Sequence, residues 1–379
     1  MAFLPNFRAA VALVLAACLL CPPARALVAF NDGKEHLYVT GTAAMAYDSN
    51  IFAHAGGGGD TVTSAGILVE YTRRAGWIGV NADIALNLSQ FARNSSENFV
   101  NPRFGAEFTK NSGRTIGAIS LAAARENRAD AAANLREQSW NYSAALNFKY
   151  PVISRYSISG NVGYLARIYD DSTVLSNLTT YTAGLDLLYA LSSERDLAAG
   201  YRYRYSETSR DSAYNDHSFT VGVSGKILPR LHGSIRAGYQ IRRPGGNSTD
   251  GGYSGLTASG GVTWAGSKKL SVTAQMAKDV SVTSTNVSID TVSGGLDAQY
   301  VFNAKVATFA TVGGGRSRFL GAAGLDRRDE FFTLGAGVNY TIMQHLKASL
   351  AYVFYRNSST FAYSDYDRNS LTLTLSSRW

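Results

Sequence analysis

The sequence predicts an all-β protein: a transmembrane, antiparallel, up-and-down β-barrel of about 18 strands (range 16–18). Three observations lead there. The chain ends inside a period-2 pattern, with Leu371, Leu373 and Leu375 alternating with Ser370, Thr372, Thr374 and Ser376, and the terminal Trp379 on the leucine face. The same alternation recurs along the chain, broken by turns that are short and long by turns. The N-terminus reads as an export signal.

The signal is taken first. Arg8 is the only charge in the first 24 residues, an apolar stretch runs from Ala9 to Leu20, and Ala24-Arg25-Ala26 is a small-x-small cleavage sequence. Residues 1–26 are therefore expected to be a cleaved signal peptide and 27–379 the barrel domain. Leu15-Ala16-Ala17-Cys18 offers a competing lipobox, but the apolar run continues past Cys18 to a better site downstream. Cys18 and Cys21 both fall in the signal, so the remainder has no cysteine for disulfides or metal ligation.

After Ala26 no apolar run approaches the roughly 18 to 20 residues of a membrane helix. A barrel strand shows lipid only at every second residue, so its hydropathy averages out. The formal charge of +8 becomes +6 once Arg8 and Arg25 leave, too diffuse for a nucleic-acid footprint. No nucleic-acid partner is expected.

The strands are expected, in order, near 36–47, 60–72, 76–91, 99–110, 114–126, 137–150, 155–169, 178–191, 195–206, 216–227, 230–243, 253–265, 269–280, 289–301, 304–317, 330–342, 345–357 and 367–379. The even count returns both ends to the periplasmic side. Short turns such as Asn111-Ser112-Gly113 and Gly266-Ser267-Lys268 belong on that side. Long polar connections, among them 48–59, 127–136, 207–215 and 358–366, belong outside.

Within each strand two faces separate. Ile78, Val80, Ala82, Ile84, Leu86 and Leu88 oppose Asn81, Asp83, Asn87 and Ser89. Phe332, Leu334, Ala336, Val338 and Tyr340 oppose Thr333, Gly335, Gly337 and Asn339. A soluble sandwich also alternates, but it would show more Lys and Glu on its polar face and no terminal aromatic. Aromatics near strand ends, such as Trp77, Trp140, Trp264 and Trp379, suit the interface girdles. The last strand is also where the barrel-assembly machinery would engage, and outer-membrane lipids and lipopolysaccharide would surround the wall.

Eighteen strands leave room for water, whereas about eight fill with side chains. The alternation points Asp83, Glu107 and Asp186 inward, with basic Lys149, Arg167, Arg202, Arg204, Arg236 and Arg242. In Tyr201-Arg202-Tyr203-Arg204-Tyr205 three rings face lipid and two guanidiniums face the lumen. The functional expectation is a basic arc that attracts small anionic solutes or acidic sugars. The competing expectation is that these charges pair with one another and only keep the pore wet.

Catalysis is not expected. The five histidines lack metal-ligand spacing, and in Asp216-His217-Ser218 adjacent strand residues point to opposite faces, so no relay forms. No cofactor or metal is expected.

Tyr47-Asp48-Ser49-Asn50-Ile51-Phe52, followed by Asp60-Thr61-Val62-Thr63-Ser64-Ala65-Gly66, resembles the opening of the beta-barrel porin 2 family. The Tyr201 to Ser206 segment is similar to that family's Tyr/Arg strands. The resemblance implies a bacterial outer-membrane barrel without catalytic residues. It also implies an association, for some relatives, with exopolysaccharide export. Three functions follow as expectations: a porin for small polar, perhaps anionic, solutes; a component of exopolysaccharide secretion with periplasmic export partners; or a structural or adhesive barrel whose loops bind partners.

Overall fold

A computed structural model describes residues 28–74, 76–170, 173, 175–246, 252–320 and 326–379. The segment read as a signal peptide, with Cys18 and Cys21, lies outside them. A short strand β1 (Val28–Phe30) pairs with the start of β2. The wall is formed by β2 (Glu35–Asp48), β3 (Asp60–Arg73), β4 (Gly79–Phe91), β5 (Phe99–Lys110), β6 (Ile116–Asp130), β7 (Leu135–Ile153), β8 (Tyr156–Tyr169), β9 (Leu178–Ser192) and β10 (Arg195–Thr208). It continues through β11 (Ser212–Leu228), β12 (Leu231–Gly246), β13 (Tyr253–Ala265), β14 (Leu270–Val282), β15 (Ser288–Val301), β16 (Val306–Leu320), β17 (Arg328–Thr341), β18 (Leu346–Ser359) and β19 (Tyr366–Arg378).

Each wall strand pairs antiparallel with the next, and β19 returns to pair with β2. The protein is a closed 18-strand antiparallel barrel. Closure leaves no free edge, so every wall strand has both ladders filled. The last residue takes part, with mutual backbone bonds between Val39 and Trp379 at 2.8 and 2.9 Å. The Trp379 ring packs on His345 at 4.4 Å between centroids.

The outer surface carries the apolar face of each strand: Met45, Ile84, Phe104, Leu185, Val221, Leu256, Leu334 and Leu373 are all exposed, as lipid-facing residues must be. The short turns fall at one rim and the longer connections at the other. Two connections expected to be long are instead tight hairpins. Only residues 209–211 join β10 to β11, and only 131–134 join β6 to β7. Beyond the membrane either face may be polar, so the strands continue through Glu207 or Asp216 because their ladder is satisfied there, without the apolar alternation that marks a lipid-facing segment.

The wall does not curve evenly. β11 and β13 approach each other although they do not pair, so the sheet folds sharply about β12. Glycine permits this. A Cβ at Gly238 would lie 1.8 Å from the Phe219 carbonyl oxygen on the neighbouring strand. This corner positions the charges described next.

Candidate functional site: the lumen and its mouth

The corner at β9 to β14 brings together most of the residues expected to line the lumen. At its centre Asp216 accepts from Arg242 at 2.7 and 2.8 Å and from Arg204 at 2.8 Å. Arg204 also donates to Asp279 at 2.6 Å, and Arg202 reaches the same carboxylate at 3.3 Å. Arg242 is fully covered, stacks over the Tyr214 ring at 4.9 Å and bonds the Ser288 hydroxyl at 3.1 Å. Two carboxylates thus serve three guanidiniums. A buried charge is tolerated only when paired and hydrogen-bonded in this way.

The remaining members follow the same rule. Arg236 on β12 meets Asp186 on β9 at 2.5 Å, and Lys149 on β7 meets Asp196 on β10 at 2.8 Å. These bonds skip intervening strands. Arg103 pairs with Asp83 at 2.7 Å between second-neighbour residues of adjacent strands. Arg167 donates to the Asn141 side chain at 2.8 Å and stands apart from the cluster. Glu107 is exposed and has no ion pair among the described residues. Arg202, Arg236, Asp186, Asp279, Asn161 and Thr220 line a recess of about 250 Å³ in this wall.

Asp196 and Asp279 were not among the residues singled out from the sequence, and Asp216 appeared there only in the Asp216-His217-Ser218 run, not as a lumenal charge. Asp216 is in phase with Ser218 and Thr220, and Asp279 with Thr273 and Gln275; both fall inside strands expected from the sequence, so parity alone would have placed them on the polar face. The wall just past β15 is different in character. On β16 and β17 inward Phe309 lies over Gly337 and Phe331 over Gly315, where a Cβ would come within 2.4 and 2.6 Å of the rings. Glycine here makes room for flat aromatic rings.

The mouth is narrowed by loops that turn inward. Tyr47-Asp48-Ser49-Asn50-Ile51-Phe52 builds the first of them. Asp48 accepts from the Asn50 amide at 3.0 Å and clamps Arg368 through both oxygens, the shortest contact being 2.5 Å. The Asn50 side chain accepts from the Ala53 amide at 3.0 Å and donates to the His54 carbonyl at 2.9 Å. Ile51 and Ala53 are consequently buried, although they sit in a loop.

The β6–β7 tip is the hub that this loop and three others reach. Asn134, at φ 56°, donates to the Ala53 carbonyl at 2.9 Å and bonds Ser364 of the β18–β19 connection. Arg327, before β17, donates to the carbonyls of Ala131 and Ala132 at 2.8 and 2.7 Å. Ser284, between β14 and β15, donates to Asp130 at 2.9 Å. Strands β6 and β14 lie nearly opposite in the ring, so these bonds cross the mouth. Among the described residues no group of His, Cys, Asp and Glu could hold a metal ion.

Residues 206–378 match the family model described as "Putative beta-barrel porin 2". The match spans a little under half of the chain and is a likeness of that part to the family. The match begins at the Ser206 end of the Tyr/Arg segment, so the opening motif at 47–52 lies outside it. Solved porins of Pseudomonas aeruginosa share the fold. OpdK with vanillate is 13% identical, with a TM-score of 0.51 over 90% of this chain and 99% of that one. OccK2 (OpdF) in complex with glucuronate is 11% identical, with a TM-score of 0.52 over 93% and 100%. No curated protein matches the chain. The match over residues 206–378 and the shared barrel fold support a bacterial outer-membrane location, embedded in its lipids.

Proposed function

We propose that the barrel is a diffusion channel for small polar solutes, with a preference for small organic anions. The observation that supports this most is the lumen itself, wide by strand count, narrowed by loops and lined by two unlike walls. Strands about 4.8 Å apart, tilted by about 40°, give 18 of them a backbone diameter of roughly 35 Å. Loops and side chains reduce that opening to a passage in which solutes touch the lining.

The charged wall favours anions only by a margin. Lys149, Arg167, Arg202, Arg204, Arg236 and Arg242 stand against Asp186, Asp196, Asp216 and Asp279, so pairing cancels most of the arc and leaves a modest positive excess. Arg202 and Arg236 are the members that keep partial exposure in the recess and would meet a passing carboxylate. Phe309 and Phe331 offer an apolar face further round the lumen, suited to a solute with one charged end and one flat side. The structures solved with vanillate and glucuronate are those of distant relatives, and the reading here depends on this chain's own lining.

The test is the reversal potential under a salt gradient. The expected result is a mild anion preference in the parent and a shift toward cations in Arg202→Glu with Arg204→Glu. An unchanged reversal potential in the folded variant would remove the arc from the permeation path. The comparisons give no support to a role in exopolysaccharide secretion.

A further inference from the structure

The outer wall of β16 departs from the lipid-facing rule. Its outward row runs Val306, Thr308, Ala310, Val312, Gly314, Arg316 and Arg318. The exposed Leu296, Val312, Phe332 and Leu334 of β15, β16 and β17 mark the lipid band beneath. Above it both arginines are exposed. Among the described residues neither side chain has a hydrogen bond, an ion pair or an aromatic ring to stack on.

Neighbouring carboxylates do not meet their need. The Cα partners of Arg318 are Asp290 and Arg328, and those of Arg316 are Val292 and Glu330. Asp290 is engaged by Lys278 at 3.2 Å, and Arg328 is held by Asp326 at 2.9 Å. Glu330 makes no ion pair with Arg316, leaving two unpartnered guanidiniums against one carboxylate, with Lys278 alongside.

A lipid-facing arginine costs about 2–4 kcal/mol at the bilayer midplane and about 0–1 kcal/mol near the interface. These two lie at the loop end of their strand, at headgroup level. They project from one face two residues apart, about 7 Å. Each presents a planar fork that matches a phosphate bidentately, which an ammonium cannot do. We propose that Arg316 and Arg318 form a binding strip for the phosphate groups of a phosphorylated outer-leaflet glycolipid of the lipid A type. Charge complementarity selects this occupant, because the strip faces the bilayer rather than the lumen and is therefore met by headgroups, not by permeating solutes.

The experiment uses the refolded chain in nanodiscs of zwitterionic phospholipid doped with bisphosphorylated lipid A, with bound lipid counted by native mass spectrometry. The parent should retain lipid A, and Arg316→Gln with Arg318→Gln should lower retention about tenfold, the loss of roughly one charge-assisted bond. Arg316→Lys, which keeps the charge and loses the fork, should fall between. Arg103→Gln in the lumen should change nothing. Heat-modifiable gel mobility confirms that each variant is folded, and the lysine variant serves if the double variant does not fold. Equal retention by the variants, indifference to removal of the lipid phosphates, or equal retention of phosphatidylglycerol would each overturn the proposal.

Discussion

Replacing Asp216 with alanine tests whether the lumenal charges hold one another. The substitution removes a carboxylate that accepts three bonds at 2.7 to 2.8 Å. Arg204 keeps Asp279 at 2.6 Å. Arg242 keeps only neutral partners, the Ser288 hydroxyl and the Val280 carbonyl, both at 3.1 Å, and its side chain has no exposure to water. Stranding a buried charge costs about 3–5 kcal/mol. With only one of the two arginines stranded, the lower end applies, about 3 kcal/mol or a little over a hundredfold in the folding equilibrium. Urea titration of the barrel folding into lipid vesicles, followed by tryptophan fluorescence, reads this directly. Adding Arg242→Leu to Asp216→Ala should recover most of the loss, because the stranded charge is then gone. A single variant within about 0.5 kcal/mol of the parent, or a double variant no more stable than the single, would refute the pairing argument.

Three further outcomes are expected. Asn134→Gly suits the positive φ but removes the bonds to Ala53 and Ser364, so it should loosen the loop hub and raise single-channel conductance and gating noise; unchanged records would separate the hub from the permeation path. Gly238→Ala places a Cβ 1.8 Å from a backbone oxygen and should prevent folding or cost well over 2 kcal/mol, whereas Gly261→Ala, in open space, should be nearly neutral in the same titration. Deleting Trp379 removes two barrel-closing backbone bonds and the packing on His345, so folding into vesicles should slow and its yield fall relative to the parent.

The barrel could be read from the residues because its rule is local. A strand that shows lipid on one face must alternate, and the runs containing Ile84 or Leu334 do so wherever the wall crosses the membrane. Strand ends were less accessible for the same reason. Beyond the lipid band nothing requires alternation, so the continuation of β10, β11, β6 and β7 into hairpins had no apolar signal. The site was half visible. Parity alone turned Arg202, Arg204, Arg236 and Arg242 inward. Their pairing depends on which strands approach across the lumen: the corner at β12 brings Asp279 on β14 to Arg204 on β10, and Asp186 on β9 reaches Arg236 three strands away on β12. No spacing in the sequence encodes that curvature, although the close approach at Gly238 is its local trace. The Asp48 to Phe52 motif carried a resemblance before it had a mechanism. Its physical content is a loop fold: Asp48 holds Arg368, Asn50 closes the turn, and Ile51 is buried at the mouth.

The most direct test of the channel reading is planar-bilayer recording of the refolded chain, Leu27 to Trp379, under a salt gradient. Stable stepwise conductance with a mild anion preference is the predicted result. A barrel that is demonstrably folded yet passes no current would contradict it, and the inward loops would then be a seal rather than a constriction.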